Sequence, residues 1–311
     1  MAVPVYVVAG FLGAGKTTFL NTMLTDPNFN DGEKTCLIEC EEGEVEVTPE
    51  ALRFANCAVR KVEDEDELLG GVLEKIDEEL TPERIIIEYH GMWSVDRLFD
   101  APTPDAWELA QVVVPIDGST FEIYMSNMMN QMADPIRQAD LVCFNRVADS
   151  EKRPAFTRRI MALNNAARIF YENPDGSMDE ADSEPPIDME RDPLQVEDEQ
   201  FGIWYIDAMQ HPERYDGRKI RLRGEVMYVG DMPKNSFVLA RKAMTCCVQD
   251  IAAIGFLCMW DGALPREGAW VSVAARCEKS FSVLHGADAM ILRGDKVVPA
   301  TPAAEEIVTF N

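Results

Sequence analysis

The first half of the chain alternates short apolar runs with segments in which apolar residues recur at helical spacing. Residues 3–8 form a β-branched run, and helical spacing follows at residues 17–24 and again at residues 64–79. Further apolar runs occupy residues 35–38, 84–87, 111–116 and 141–144. Brief apolar runs separated by helices are typical of an α/β fold with a mostly parallel sheet covered on both faces.

A polar residue closes three of these predicted strands. Glu88, Asp117 and Asn145 directly follow the runs at 84–87, 111–116 and 141–144. In open parallel sheets, ligands bind at the carboxyl ends of the strands. We therefore expect the binding site of this domain at the edge where these three side chains lie.

An acidic stretch, residues 172–199, interrupts the pattern. It contains four prolines and a single basic residue, Arg191. Such a composition buries too little apolar surface to fold by itself, so we predict a flexible linker between domains at 1–171 and 200–311. The linker is either a solvated spacer or a segment that buffers cations or binds a partner.

The last third of the chain has the pattern of a β domain. A short helix is predicted at residues 204–211, and Gly- and Pro-containing turns separate the predicted strands that follow it. These strands are residues 219–229, 236–244, 253–259, 269–277 and 287–292. Five strands in about a hundred residues predict a small barrel of the OB type.

Composition narrows the functional classes. The chain has the composition of a globular protein, with 47% apolar and 27% charged residues. Its net charge of -26 argues against nucleic-acid binding, through the barrel or otherwise. No apolar run approaches the eighteen or so residues of a membrane span. The first residues show no basic leader, and the eight cysteines are scattered. We expect reduced thiols and a cytoplasmic protein.

The strongest chemical signal is GFLGAGKTT at residues 10–18, which follows a predicted strand and opens a predicted helix. It satisfies G-x-x-x-x-G-K-[ST], in which backbone amides surround phosphates, the lysine neutralises the β and γ oxygens, and the hydroxyl binds Mg²⁺. The helix N-terminus adds its dipole. The predicted phosphate ligands are Gly10, Gly13, Ala14, Gly15, Lys16, Thr17 and Thr18, with Thr17 on Mg²⁺.

Several segments together resemble the CobW-type metallochaperone GTPases, which are kin of the nickel-enzyme maturation GTPases. After the GFLGAGKTT loop come LIECEEGE at residues 37–44, IIIEYHG at 85–91, VVVPID at 112–117 and ALNNAA at 162–167. The likeness covers roughly residues 3–171. It implies binding and Mg²⁺-dependent hydrolysis of GTP, with metal handling as the cellular purpose.

The resemblance also implies roles for the segment that follows the strand at 84–87. Glu88 should lie near Mg²⁺ or its waters and act in catalysis together with Lys16, and Gly91 should donate its amide to the γ-phosphate. A carboxylate at a strand end beside a phosphate loop suits this role, although such a residue can also cap a helix. His90 is either the residue that positions the attacking water or a switch-loop histidine without a catalytic part.

The base-reading motif is altered. The family motif N-K-x-D corresponds to Asn145, Arg146 and Asp149 here, so arginine replaces lysine and the acid arrives one residue late. The aliphatic part of Arg146 can still pack on a base. GTP is expected as the nucleotide, with ATP as the alternative, because Asp149 is displaced from the position that reads guanine.

The thiol motif of the family is also altered. A C-x-C-C trio between the switches would suit a thiophilic ion, but only its first position, Cys57, is present here. Cys36 and Cys40 point to the same face of an ideal strand. One hypothesis is a rebuilt zinc site made of Cys36, Cys40, Cys57 and the carboxylate of Glu41. The alternative is that these cysteines are small buried hydrophobic residues.

A second resemblance concerns residues 217–299, which are similar to the soluble part of a permease-associated family. The likeness is carried by ARKAMTCCVQD at residues 240–250, together with residues 234–241 and 268–271. The first of these segments contains the vicinal Cys246 and Cys247. In a regular strand these thiols point to opposite sides, so they share one zinc ion only at a strand end or bulge. The alternative is one buried and one exposed thiol without a metal.

Two functions of different classes follow. The first is a Mg²⁺-dependent GTPase that delivers or senses a metal, with zinc as the expected ion and a client protein or membrane permease as partner. The second is a nucleotide-dependent regulatory module that docks a permease or another protein and carries no metal. Metal analysis of the purified protein separates the two.

Overall fold

The computed structural model describes residues 2–181, 185–230, 232–244, 251–308 and 310. The chain divides into two compact units, Met1–Ala181 and Asp182–Asn311. Part of the acidic stretch belongs to each unit, because residues 178–180 form a strand in the first, while Ile187, Leu194 and Val196 are buried in the second. The composition predicts a flexible linker over residues 172–199. The proposed boundaries at residues 171 and 200 stay a prediction.

An eight-stranded sheet forms the centre of the first unit. Its strands are β1 (Val3–Val8), β2 (Thr35–Glu39), β3 (Cys57–Lys61), β4 (Arg84–Glu88), β5 (Trp107–Asp117), β6 (Leu141–Asn145), β7 (Arg168–Glu172) and β8 (Met178–Glu180). Their order is β3-β2-β4-β1-β5-β6-β7-β8, and every pairing is parallel except that of β7 with β8. The predicted α/β fold with a mostly parallel sheet is confirmed.

Helices connect these strands. They are α1 (Lys16–Thr25), α2 (Pro49–Phe54), α3 (Glu65–Glu67), α4 (Leu73–Leu80), α5 (Val95–Phe99), α6 (Phe121–Asn127), α7 (Met129–Gln138) and α8 (Arg153–Leu163). The helix predicted at 64–79 is interrupted by a π-helical segment, Leu68–Val72, in which Gly71 has a φ of 88°. Glycine adopts this conformation without the Cβ clash that other residues incur, so Gly71 permits the interruption.

Strand register determines where the polar strand ends lie. Glu88 pairs with Val8 on one side and with Glu39 on the other, and Asp117 pairs with Asn145. All five residues of β4 are buried, so the strand holds Glu88 in the interior of the sheet edge. The expectation that Glu88, Asp117 and Asn145 share the carboxyl edge of the sheet is confirmed.

The second unit contains α9 (Phe201–Gln210), α10 (Pro212–Tyr215) and a mixed seven-stranded sheet. The strands are β9 (Leu194–Gln195), β10 (Lys219–Met227), β11 (Ser236–Ala243), β12 (Ala252–Met259), β13 (Trp270–Ser282), β14 (Ala287–Pro299) and β15 (Ile307–Val308). Their order is β15-β11-β12-β14-β13-β10-β9, and β10 also pairs with β11. All five predicted strands are present. β9 and β15 were not predicted, because two-residue strands have no periodicity.

Aromatic packing holds α9 on this sheet. Trp204 is fully buried and makes edge contacts with Phe201, Tyr215 and Phe256 at ring-centroid distances of 5.8, 6.2 and 5.1 Å. Such pairs contribute about 0.5–1.5 kcal/mol each beyond the burial of their surface. Within the described ranges, no helix of either unit has both the length and the apolar character needed to cross a bilayer.

Candidate functional site

The loop between β1 and α1 has the backbone geometry of a phosphate cradle. Gly10, Gly13 and Gly15 have φ angles of 140°, 77° and 99°, in the region that favours glycine. A Cβ on Gly10 would lie 2.9 Å from the carbonyl oxygen of Pro115, and one on Gly15 would lie 2.6 Å from Nδ2 of Asn145. Gly10 and Gly15 are therefore required both by conformation and by the close approach of β5 and β6, whereas Gly13 is required by conformation alone.

Lys16 begins α1 and folds back over the loop. Its Nζ donates to the carbonyl oxygens of Gly10 at 2.8 Å and Phe11 at 3.3 Å, and it forms an ion pair with Oε2 of Glu41 at 2.6 Å. The two side chains of the pair are only 4% and 10% exposed. Glu41 was predicted as a zinc ligand; in the structure its carboxylate neutralises the lysine with which phosphate oxygens would interact.

Thr17 and Glu88 bring two oxygen ligands together at the start of α1. The Thr17 hydroxyl donates to Oε1 of Glu88 at 2.7 Å. Burial raises the pKa of the Glu88 carboxyl, and the hydrogen bond from Thr17 and the charge of Lys16 oppose that rise. A hydroxyl and a carboxylate are hard oxygen donors of the kind that Mg²⁺ prefers. The two residues therefore suit the magnesium position predicted from the sequence.

The segment after β4 packs directly against the phosphate loop. A Cβ on Gly91 would lie 2.7 Å from the carbonyl oxygen of Gly10, so only glycine is accommodated. Nε2 of His90 lies 3.5 Å from Oε1 of Glu41, while its Nδ1 accepts a hydrogen bond from the Met92 amide. The ring stacks on Trp93 at 4.8 Å. His90 thus contacts Glu41 and lies one residue away from the loop contact of Gly91.

The segment after β6 also contacts the phosphate loop. Asn145 Nδ2 donates to the carbonyl oxygen of Ala14 at 2.8 Å, and Arg146 Nη2 donates to that of Gly13 at 2.6 Å. Asp149 lies elsewhere: its carboxylate accepts a hydrogen bond from the Glu151 amide at 3.0 Å and caps the following 3-10 turn. The structure therefore brings Asn145 and Arg146 to the loop and leaves Asp149 outside this contact.

One residue of this constellation was not assigned a role from the sequence. Oδ2 of Asp117 forms an ion pair with Nε of Arg146 at 2.9 Å. The position of Asp117 at the end of a strand was visible in the sequence, but its partner was not. The pairing depends on the register of β5 and β6, which the sequence alone does not give.

These groups surround a cavity of about 330 Å³. It is lined by the loop residues Leu12, Gly13, Gly15, Lys16, Thr17 and Thr18 together with Glu41, Gly43, Glu44, Val45, Glu88 and Arg146. Its ionisable lining comprises two cations and three carboxylates. A triphosphate would meet a near balance of charge in this cavity, so a divalent cation would improve the electrostatic complementarity.

The cysteine hypothesis for the first unit does not match the geometry. Cys36 and Cys40 share one buried face, as expected, but Cys57 packs against the core on the opposite face of the sheet, and Glu41 is engaged by Lys16. Burial raises the pKa of Cys36 to about 11 and those of Cys40 and Cys57 to about 12. They are therefore protonated at neutral pH.

The arrangement of potential metal ligands also argues against this site. Within the part of the chain that the structure describes, no group of three or more His, Cys, Asp or Glu side chains is arranged to hold a metal ion. The predicted set of Cys36, Cys40, Glu41 and Cys57 is thus not assembled. Cys246 and Cys247, the second predicted zinc pair, lie outside the described residues.

Comparison with known proteins gives matches for both parts of the chain. Residues 4–171 match the family described as CobW/HypB/UreG, nucleotide-binding domain, and residues 172–303 match the one described as DUF1980 C-terminal domain. No curated protein matches closely enough to count as a relative.

The solved structures to which this chain shows similarity include GTPases and a maturation factor. The Zn(II)-bound YjiA GTPase from E. coli is 19% identical, with 82% of this chain and 89% of that chain covered and a TM-score of 0.44. A Zn(II)-bound triple mutant of YjiA is 16% identical, with 88% and 92% covered and a TM-score of 0.45. The hydrogenase maturation factor HypB from Archaeoglobus fulgidus is 16% identical, with 55% and 80% covered and a TM-score of 0.39.

The family match spans the whole sheet of parallel strands and every segment that lines the cavity, and it covers more than half of the 311 residues. The resemblance inferred from the loop at residues 10–18 is confirmed by this match. This chain therefore belongs to the CobW/HypB/UreG family of nucleotide-binding proteins.

Proposed function

We propose that this protein is a cytoplasmic, Mg²⁺-dependent GTPase of metal homeostasis. The observation that carries the proposal is the cavity at the carboxyl edge of the sheet, where the side chain of Lys16 lines the same space as the Thr17 hydroxyl and the Glu88 carboxylate, which lie 2.7 Å apart. This combination serves phosphoryl transfer, in which the protein contributes positioning and charge stabilisation rather than covalent chemistry.

In the proposed reaction, water attacks the γ-phosphorus and the bond to the β–γ bridging oxygen breaks, which yields a nucleoside diphosphate and phosphate. Lys16 and the loop amides stabilise negative charge on the phosphate oxygens. Thr17 and Glu88 are the residues that would hold Mg²⁺, which would supply further neutralisation of the phosphate charge when bound. Glu41 must leave Lys16 as the γ-phosphate takes its place, so phosphate binding is coupled to movement of the segment at residues 39–43.

GTP is the proposed nucleotide. Asn145 and Arg146 at the end of β6 support this choice, because they occupy the first two positions of the guanine-reading motif beside the loop. The capping role of Asp149 leaves ATP as the competing nucleotide. Titration calorimetry with GTP and ATP in the presence of Mg²⁺ tests the assignment, and tighter binding of ATP would reverse it.

Glu88→Gln should leave nucleotide binding within a few-fold of wild type but slow hydrolysis by at least tenfold. The amide oxygen can still accept the Thr17 hydrogen bond, but the negative charge that acts on the Mg²⁺ and its waters is lost. The substitution should therefore lower the rate of hydrolysis more than the affinity for the nucleotide. Single-turnover hydrolysis measures the effect. Glu122→Gln, at a surface carboxylate that pairs with Lys152, serves as the control. Equal rates for Glu88→Gln and wild type would refute the role.

For the second unit we propose a small barrel of the OB type. The circuit of pairings β10-β11-β12-β14-β13-β10 supports it, because five strands that return to the first form a closed sheet. Its proposed task is to dock a client protein or a membrane permease. The acidic charge of the chain argues against nucleic acid as the ligand.

Elemental analysis of the purified protein, with and without GTP, tests the metal function. We expect a zinc ion that Cys246→Ser with Cys247→Ser removes, because the described cysteines of the first unit are buried or half-buried, protonated thiols. Thiolate ligation requires loss of protons, so zinc affinity should weaken as the pH falls. Cys36→Ser with Cys57→Ser is the matched control and should retain the ion.

The absence of a metal-binding group among the described residues favours one further candidate, a nucleotide-dependent regulatory module that carries no metal. In that case the elemental analysis finds no bound ion in either nucleotide state, whereas GTP hydrolysis remains. The elemental analysis alone therefore distinguishes the two functions.

A further inference from the structure

One face of the second unit carries a group of exposed cations. β10 alternates exposed with buried positions, and its exposed Lys219 and Arg221 lie beside β13, which contributes the exposed Arg276. β14 pairs with the other side of β13 and contributes the exposed Lys296. We call the surface formed by Lys219, Arg221, Arg276 and Lys296 the basic face.

Strand register brings these four side chains close together. Lys219 pairs directly with Arg276, while Arg221 and Lys296 pair with Ala274 from its two sides. Residues directly opposite on antiparallel strands have Cβ atoms about 4.5–5.5 Å apart, and like charges in these positions are destabilising. The pairing of Lys219 with Arg276 therefore opposes folding, and the stability of the fold does not account for it.

Two other arginines of the same strands are paired with acids. Arg223 forms an ion pair with Asp198, and Arg293 forms two hydrogen bonds with Glu278 at 2.8 and 3.0 Å. Among the residues that the structure describes, no carboxylate forms an ion pair with a cation of the basic face. A chain with 55 acidic and 29 basic residues has enough acids to pair every cation. The basic face therefore stands out as a surface whose counter-charges are left to a ligand.

The spacing of the cations fits an extended acidic segment. Residues two positions apart in a strand are separated by about 6.6 Å, which is also the separation of alternate side chains in an extended peptide. Carboxylates at alternate positions of such a peptide would meet both Lys219 and Arg221, with Arg276 and Lys296 beside them. Asp295, an exposed residue next to Lys296, offsets only part of this positive charge.

The charge of the whole chain favours a short acidic ligand over a large one. Charges in solution are screened beyond about 8 Å at physiological ionic strength. A short segment is therefore held mainly by the cations that it contacts. A membrane surface or a nucleic acid extends far beyond the basic face and would meet the rest of a chain whose net charge is -26.

We propose that the basic face binds a short, extended acidic segment of a partner protein. The inference rests on the proposed docking role of the second unit and names the chemistry of its partner. Single exposed ion pairs contribute little, so the affinity comes from several carboxylates acting together. Because these pairs are exposed, the affinity should fall as the salt concentration rises.

Fluorescence anisotropy with a labelled decapeptide of alternating Glu and Ser tests the proposal on the full chain. Wild type should bind this peptide at low salt and should not bind the matching peptide of alternating Gln and Ser. Arg221→Ala with Arg276→Ala should weaken binding by about tenfold, because ion pairs are lost at two positions. Arg221→Glu with Arg276→Glu should abolish binding, because the remaining cations are then neutralised.

Lys234→Ala with Arg266→Ala is the matched control. These exposed cations lie in the connections β10–β11 and β12–β13, at the end of β10 remote from Lys219, so peptide affinity should equal that of wild type. Thermal unfolding separates binding from folding. Arg276→Ala removes a like-charge pair, so its Tm should be equal to or higher than that of wild type, although its peptide affinity is lower.

Three results would overturn the proposal. One is an unchanged affinity in both Arg221 and Arg276 double variants. Another is wild-type protein that binds vesicles of phosphatidylcholine and phosphatidylserine but not the peptide, since the basic face then meets a membrane. The third is wild-type protein that binds neither probe. GTP hydrolysis measured on the same preparation tests the proposed nucleotide function separately, so loss of peptide binding with hydrolysis intact refutes only the acidic partner.

Discussion

Lys16→Ala should abolish measurable GTP binding at micromolar protein concentration. The variant loses an ammonium group that is 4% exposed, and it leaves the Glu41 carboxylate, 10% exposed, facing the triphosphate without its counter-ion. Loss of hydrogen bonds to a charged group costs about 1.5–3 kcal/mol each, and an uncompensated buried charge adds to this cost. We expect an affinity loss of more than about 100-fold, since about 1.4 kcal/mol corresponds to tenfold.

The ion pair between Lys16 and Glu41 allows a second test of this prediction, beyond the effect of losing one positive charge. In Lys16→Ala combined with Glu41→Gln the repelling carboxylate is also absent, so the double variant should bind GTP more tightly than Lys16→Ala alone. Lys152→Ala, which breaks the exposed pair with Glu122, should bind as wild type does. Titration calorimetry measures all four proteins. Wild-type affinity in Lys16→Ala would contradict the assignment of the phosphate loop.

The sequence was sufficient for those features that are encoded locally. The phosphate loop needs glycines at fixed positions between a strand and a helix, and the strands at 84–87 and 141–144 are apolar runs closed by a polar residue. Because parallel strands end at one edge, the placement of Glu88, Asp117 and Asn145 also followed from the pattern. Each of these features depends on residues that are close in sequence, within one or two consecutive secondary-structure elements.

Contacts between distant segments could not be predicted in the same way. Glu41 lies 25 residues from Lys16 in sequence, and its pairing with the lysine depends on the path of the loop after β2. The zinc hypothesis grouped Cys57, the remaining thiol of the family motif, with Cys36 and Cys40. The register of β2 with β3 pairs Cys57 with Thr35 and so places its thiol on the opposite face. The hydrophobic periodicity of the sequence likewise does not show that β10 pairs with both β11 and β13.

The electrostatics of the site explain how an acidic protein can hold a polyanion. The chain has a net charge of -26, and Glu41, Glu44 and Glu88 line the cavity beside the two cations Lys16 and Arg146. The global field therefore disfavours a triphosphate, so in the proposed site the affinity would come from short-range contacts and from Mg²⁺. Removal of Mg²⁺ by a chelator should weaken nucleotide binding more than it does in a protein with a basic cavity.

Gly91→Ala should slow GTP hydrolysis by about 100-fold, while nucleotide binding remains measurable. The added Cβ would lie 2.7 Å from the carbonyl oxygen of Gly10 and 2.9 Å from Cα of Phe11, and both are backbone atoms that cannot rotate away. The segment after β4 must therefore move off the phosphate loop. A displacement of about 1 Å at a reacting centre can reduce the rate by about 100-fold.

The loss should appear in the reaction step, because Lys16, Thr17 and the loop amides remain in place to bind the phosphates. Gly70→Ala is the matched control: a Cβ at that position meets no atom within 4 Å, so hydrolysis should match wild type. Single-turnover hydrolysis and GTP titration of both variants give the two quantities separately. A Gly91→Ala protein that hydrolyses GTP within twofold of the wild-type rate would show that close packing of this segment against the loop is not required for catalysis.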